Sequence, residues 1–365
     1  MTEDFLDKKL NKRAKDHSVR KLVFRPTDMI DFTSNDYLGI VKNGLIEQAV
    51  PSNLSHGSTG SRLLSGNYHL IEETENLIAN FHNAEAALIF NSGYDANTGL
   101  LSCVPQKNDT IIYDQLSHSS LRDGIRLSFA NAFSFFHNDL NYLEKKLKSA
   151  GKGGEKFVVT ESIYSMDGDR APLKQIADLC ERFNAALIVD EAHATGIIGE
   201  KGEGLVQESF LEEKCFARIH TFGKACGVHG AAIVGSKKLR DYLINFSRQF
   251  IYSTSLPPAS TQAIKISYET FPSMQEERNH LNELVKIFQS IKLRFKILES
   301  DTPIQPVVIP GNEEVKKVAE VCHQKNFDVR PILYPTVPEG QERLRIVLHS
   351  FNSETEIRSL LRVLG

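Results

Sequence analysis

Short apolar runs alternate with amphipathic stretches through the middle of the chain. The runs are Ala87–Asn91, Thr110–Tyr113, Phe133–Phe136, Phe157–Thr160, Ala186–Asp190, Ile219–Phe222 and Ala231–Gly235. Each has the length of a strand and too little polarity for an open surface. Between them, Leu140–Ser149 and Leu173–Phe183 carry apolar residues at helical spacing. Such alternation predicts an α/β fold: a mainly parallel, seven-stranded sheet with helices on both faces. A sheet of that size suits a domain of roughly 200 residues.

The flanks have a different rhythm. Asp4–Val19 reads as an amphipathic helix, and Met29–Leu38 as a short strand and turn. Ser52–Gly66 is rich in Gly and Ser and reads as loop, followed by a helix over His69–Phe81. A long helical stretch runs from Pro257 to about Leu298. Strands at Gln305–Ile309, Arg330–Tyr334 and Leu344–His349 and a helix over Glu354–Leu364 then predict a smaller C-terminal α+β domain. The expected organisation is an N-terminal helix and extension (1–50), a large α/β domain (51–256), a connecting helical region (257–299) and the C-terminal domain (300–365).

Composition narrows the function classes. Among 365 residues, 43 Lys and Arg against 46 Asp and Glu leave a net charge of -3. That balance carries no overall signature for a phosphate backbone, so no nucleic-acid partner is expected. No apolar run approaches the roughly 20 residues that span a bilayer. Met1–Lys21 is charged throughout and has no apolar core, so no secretory signal is expected. Five scattered cysteines, none in a Cys-x-x-Cys pair, read as free thiols in a cytoplasmic protein. No histidines show metal-ligand spacing, so no metal is expected.

Open α/β sheets bind ligands beyond the carboxyl ends of their strands. Ser92-Gly93-Tyr94-Asp95 follows the first run. Strand, glycine and helix start can hold a phosphate on backbone N–H groups, although a glycine there is more often a tight turn. Asp190 ends a run, where a buried carboxylate needs a cationic partner; a helix N-cap or a structural salt bridge is the plainer reading. The tetrapeptide Asp190-Glu191-Ala192-His193 also matches a helicase box, but the chain has no Walker A sequence. Lys224 stands among small residues in Thr221–Gly227, where desolvation makes an amine nucleophilic. His118 follows the strand ending at Tyr113, and alone reads as a capping or core histidine. Together the four fit one cofactor. Pyridoxal phosphate needs a lysine for its aldehyde, a carboxylate for its ring nitrogen, a flat group against the ring and a cup for its phosphate. Lys224, Asp190, His118 and Gly93 supply these in turn.

The segments Phe32–Gly39, Gly57–Gly66, Phe90–Asn97, Leu116–Ser119, Thr160–Asp169, Val189–Gly196, Thr221–Lys224 and Tyr252–Pro258 resemble, in order, those of the α-oxoamine synthases. These are pyridoxal-phosphate enzymes of fold type I. The resemblance implies an acyltransferase that condenses a small amino acid with an acyl thioester and releases CO2. Thr221–Lys224 followed by Gly227–Ala231 looks closest to the biotin-biosynthesis branch, which uses L-alanine and a pimeloyl thioester of coenzyme A or acyl carrier protein. The alternatives are other branches, such as glycine C-acetyltransferase or serine palmitoyltransferase. The resemblance makes Lys224 the Schiff-base lysine, Asp190 the partner of the ring nitrogen, His193 a neighbour of the ring hydroxyl and His118 the stacked ring. It puts Gly93, Tyr94 and Thr221 on the phosphate and Ser165 on the cofactor. It gives Asn35 and Arg345 the amino-acid carboxylate, and makes Arg20 and Thr336 substrate contacts. It also implies a homodimer with the active site at the interface, the Tyr252–Ser255 segment reaching across. One departure is Leu333, which stands where many members of that branch have Arg. Arg330, if on a strand with it, would point to the opposite face.

Overall fold

A computed structural model describes residues 3–24, 28–151 and 153–365; Met1 and Thr2, at the head of the charged N-terminal stretch, lie outside them. The chain forms two compact units. The larger comprises Leu38–Tyr164 and Arg170–Arg278, and the smaller the described residues up to Tyr37, Ser165–Asp169 and Asn279–Gly365.

The larger unit is built on the expected seven-stranded sheet. Its strands are β1 (Ala86–Phe90), β2 (Thr110–Asp114), β3 (Asn131–Phe135), β4 (Lys156–Glu161), β5 (Ala185–Asp190), β6 (Cys215–Thr221) and β7 (Ala231–Gly235). They lie in the order β1-β7-β6-β5-β4-β2-β3. All neighbours are parallel except at β7, which runs antiparallel to both β1 and β6. The link 222–230 is too short for the crossover that a parallel β6–β7 pair requires. Strands β4 and β5 are buried over most of their length because helices cover them. Strand β3 is an edge strand, and its first four residues are exposed.

Helices α1 (Gly93–Cys103) and α2 (Ser119–Leu127) pack together and against this sheet. Leu100 and Leu101 of α1 and Leu121 and Ile125 of α2 join Ile111, Val159, Ile188 and Ile219 in one apolar core. Their close crossing depends on Gly124. A Cβ there would lie 2.9 Å from both the Asn97 carbonyl oxygen and Leu101 Cβ.

The smaller unit holds a four-stranded antiparallel sheet, Arg330–Ile332, Arg343–Val347, Ile304–Val308 and Lys296–Ile297 in spatial order. The helices Asn312–Gln324 and Glu354–Leu364 accompany it. The last begins in a capping box, with Ser353 and Glu356 each satisfying the other's backbone N–H. Ile30–Asp31 pairs in parallel with Phe327–Asp328.

Three expected elements differ. The helix expected over Asp4–Val19 stops at Lys15 and buries no side chain. The helical stretch from Pro257 to Leu298 is two helices, Pro258–Thr270 and Gln275–Ser290. A 3₁₀ turn at Phe271–Ser273 separates them where Pro272 cannot donate to the helical ladder. The strand expected over Arg330–Tyr334 ends at Ile332, before a turn at Tyr334–Thr336. Among the described residues no helix is long and apolar enough to cross a membrane.

Gly124→Ala sets two effects against each other. Helix propensity favours Ala by about 1 kcal/mol, while overpacking costs about 1–3 kcal/mol. The contacts are to backbone and a Cβ, which cannot turn away, so the clash outweighs the propensity. The urea midpoint is expected to fall; a midpoint at or above wild type would contradict the packing of α1 on α2.

Candidate active site

The carboxyl ends of the parallel strands point their last residues at one cavity of about 160 Å³. Seven of the twelve expected site residues line it: Gly93, Tyr94, His118, Asp190, His193, Thr221 and Lys224. The chain positions each through a local element. Asp190 and Thr221 end β5 and β6. Gly93 and Tyr94 begin α1, behind the N-cap Ser92 whose hydroxyl accepts from Asp95 N–H. Their own N–H groups precede the helical ladder and face outward from its positive end. His118 is the N-cap of α2. His193 is buried in the turn after β5.

Asp190 is 5% exposed. Its Oδ1 accepts from Ala192 N–H at 2.9 Å and its Oδ2 from Asn97 Nδ2 at 2.7 Å. Beside it in register, at the end of β4, stands Glu161, 3% exposed. Glu161 Oε1 accepts from the His118 backbone N–H at 2.6 Å. Burial first, and the Asp190 charge second, push the Glu161 carboxyl well above the usual range, against the opposing pull of His118 N–H and Lys224. Burial also lowers the His118 imidazole; Lys224 and Arg122 add to this, and Asp190 and Asp123 oppose it. Both shifts favour the uncharged forms, the neutral imidazole of His118 and the protonated carboxyl of Glu161.

The other five expected residues belong to the smaller unit. Arg345, on the strand Arg343–Val347, donates from Nη2 to Asn35 Oδ1 at 2.9 Å and from Nε to the Ser165 carbonyl at 2.6 Å. Three distant chain segments therefore meet at one guanidinium. Tyr37 OH also donates to Asn35 Oδ1, at 3.2 Å. Its burial pushes the phenol up to about 12, with Arg345 opposing. Arg20 Nη2 donates to Thr336 Oγ1 at 3.4 Å on an exposed surface. Leu333 lies beyond its strand, so the alternation argument does not reach it. Arg330 is held by an ion pair with Asp328 at 2.9 Å.

Sequence reasoning assigned no role to Asn97, Ser120, Glu161 or Ala192, which complete the cavity wall. Glu161 carried a readable signal, a charge at the end of an apolar run, the same that singled out Asp190. Asn97 carried a fainter one. It lies four residues after Gly93, on the face that buries Leu100 and Leu101.

The profile of the aminotransferase class I and II family matches residues 27–364. The chain is 37% identical to the 8-amino-7-oxononanoate synthase of Emericella nidulans, over 99% of this chain and 95% of that one. It is 38% identical to the enzyme of the same name from Marinobacter nauticus, over 92% and 86%. Its fold superposes on a variant of serine palmitoyltransferase from S. paucimobilis, solved with a bound PLP–myriocin aldimine, with a TM-score of 0.90, 25% identity and coverage of 99% and 96%. It superposes on 8-amino-7-oxononanoate synthase from Francisella tularensis with a TM-score of 0.76, 28% identity and coverage of 93% and 97%.

Pyridoxal phosphate fits this cavity by three observations. The wall brings the Lys224 amine, the buried Asp190 carboxyl group and the His118 imidazole together with the N-terminus of α1 at Gly93 and the Thr221 hydroxyl. Asn97, which lines the cavity, has its Oδ1 buried with no hydrogen-bond partner among the described residues. A Cβ on Gly93 would crowd Thr221, 3.3 Å from its Cβ and 3.5 Å from its Oγ1, closing the space where a phosphate would rest.

Glu161 makes stability depend on pH. The folded chain keeps its proton above 4.5, the ordinary value, at which the unfolded chain releases it. The contribution is complete below that value and is lost as pH rises through the raised folded value. In cofactor-free protein the urea midpoint should fall more steeply between pH 5 and pH 8 for wild type than for Glu161→Gln. Equal slopes would contradict a buried neutral Glu161.

Proposed function

The chain belongs to the aminotransferase class I and II family, and from that premise we propose that it condenses L-alanine with a pimeloyl thioester, giving 8-amino-7-oxononanoate, CO2 and free thiol for biotin biosynthesis. The observation that carries this reading is one cavity holding Lys224, Asp190 and His118 at strand ends. Identity to the curated synthases exceeds that to the serine palmitoyltransferases. The closer superposition on the latter reflects a shared frame, and frames do not set substrates. The amino acid and acyl group are therefore better judged from identity.

Bound pyridoxal phosphate supplies an aldehyde that links to an amine and a conjugated ring that takes up the electron pair released at the amino-acid Cα. Gly93 and Tyr94 N–H and the Thr221 hydroxyl hold its phosphate. Asp190 keeps a proton on the ring nitrogen, since an unpaired buried cation would lose it. His118 would stack on the ring face, His193 would serve the ring hydroxyl, and Ser165 would contact the cofactor. Lys224 would hold the aldehyde, and its amine is the base of the site. That amine removes the alanine Cα proton. That carbon bonds to the thioester carbonyl carbon, and the C–S bond breaks to release a thiolate, which takes a proton from water. The alanine carboxyl group leaves as CO2, and Lys224 returns a proton to the same carbon. Asn35 and Arg345 bind the amino-acid carboxylate, and Arg20 and Thr336 serve the acyl substrate.

The working form is a homodimer. Leu64, Tyr94 and Tyr252 support this as large apolar side chains left exposed in the single chain; a monomer mass in sedimentation would remove it. The enzyme works in the cytoplasm, in keeping with free cysteines of which Cys180, Cys226 and Cys322 are buried. A fraction of the protein outside the cytoplasm on cell fractionation would overturn this.

The decisive assay crosses L-alanine, glycine and L-serine with acetyl, pimeloyl and palmitoyl thioesters, the pimeloyl group on both coenzyme A and acyl carrier protein. Turnover is expected for alanine with pimeloyl thioester. Turnover only with another pair would transfer the chain to a sister activity.

A further inference from the structure

A hydrogen-bonded chain runs along the cavity wall from Asp190 to His118. Asn97 Nδ2 reaches Asp190 Oδ2 at 2.7 Å and Ser120 Oγ at 2.9 Å. Ser120 Oγ lies 2.7 Å from His118 Nδ1. The Ser120 backbone N–H points at the same nitrogen, at 3.3 Å. Both intermediate side chains are almost wholly buried, one on α1 and one on α2.

The direction of every bond follows from donor chemistry. An ionised carboxylate only accepts, so Asn97 turns its NH2 group toward Asp190. The second hydrogen of that group goes to the Ser120 oxygen. The hydroxyl proton of Ser120 is thereby left for His118 Nδ1. A backbone N–H only donates, and it meets the same nitrogen. Nδ1 is an acceptor on both counts, and the single proton of the neutral ring sits on Nε2. Two side chains of no reactivity thus set which face of the charge pattern the imidazole shows. The opposite tautomer would place a lone pair at Nε2, which repels a carboxylate or acyl oxygen.

We propose that Asn97 and Ser120 are positioning residues for the condensation: anchored on the Asp190 carboxylate, they hold His118 in its Nε2–H form and in one ring orientation. This deepens the reading above, since it rests on His118 and Asp190 serving the same bound cofactor. It adds that the two are coupled through the protein and not only through that cofactor. Gly124 has a part in this as well, because the close crossing of α1 and α2 brings Asn97 within reach of Ser120.

The test is the tautomer itself. Cofactor-loaded protein with [15N]histidine is examined by long-range ¹H–¹⁵N correlation, and the His118 signals are assigned by their loss in His118→Gln. Wild type should show an unprotonated Nδ1 and a protonated Nε2. In Ser120→Ala only the longer backbone contact remains, and in Asn97→Leu the hydroxyl is free to turn. In both, the two nitrogen shifts should converge as the tautomers mix. Ser120→Thr keeps the hydroxyl and should restore the wild-type pattern, which a loss of packing alone would not do. By comparison with the outer partners of other oriented histidines, kcat should fall about 10- to 100-fold in the first two variants. The amino-acid KM should move much less, and Ser120→Thr should recover activity. A wild-type spectrum with the proton on Nδ1, or an unchanged pattern in both Ser120→Ala and Asn97→Leu, would overturn the proposal. The spectra need no substrate. A failed condensation assay would therefore remove the substrate assignment and leave this result standing, and the reverse holds equally.

Discussion

Two carboxyl groups, Glu161 and Asp190, end neighbouring parallel strands side by side and shut away from water. Charge on both would be ruinous in so dry a place. The surrounding residues divide the roles. Asp190 receives two donors, from Asn97 and from Ala192 N–H. Glu161 receives one backbone N–H, and burial together with the Asp190 charge pushes its carboxyl well above the usual range. This asymmetry sets the Asp190 carboxyl, with its two donors, apart from Glu161 at the base of the cavity. A ring nitrogen can be held protonated against Asp190, and the hydrogen-bonded chain to His118 takes its direction from it.

The scaffold makes that arrangement inexpensive to maintain. Parallel strands deliver their last residues to one edge of the sheet, and helices starting there bring N–H groups with them. The apolar core beneath, from Leu100 to Ile219, fixes the strand ends relative to one another. The smaller unit meets a comparable problem in its own way. Arg345 donates to Asn35 and to the Ser165 carbonyl, which set its guanidinium plane and leave other N–H groups for a substrate.

Much of this was legible in the chain, for physical reasons. Buried strands announce themselves as apolar runs, and β1, β4 and β5 fall within a residue of the runs read from sequence. The edge strand is offset, Asn131–Phe135 against Phe133–Phe136, because an exposed edge has no apolar face to mark its start. The reversal of β7 escaped notice although the short link 222–230 encodes it. The break at Phe271–Ser273 was likewise written in Pro272. Within the cavity, Lys224, Asp190, His118 and Gly93 stood out as polar or flexible residues following apolar runs. Asn97 and Ser120 did not, since their effect comes from partners brought together by the crossing of two helices, and no local pattern records such a crossing. The pairing of Asn35 with Arg345 is hidden for the same reason.

The proposed chemistry depends on a covalent bond between Lys224 and the cofactor, opposite the Asp190 carboxyl group. Borohydride reduction of cofactor-loaded protein, followed by peptide mapping, measures it directly. A pyridoxyl group on Lys224, in the peptide spanning Thr221–Ala225, is the result expected. A label on a different lysine, or on none, would contradict the assignment of this cavity as the catalytic centre.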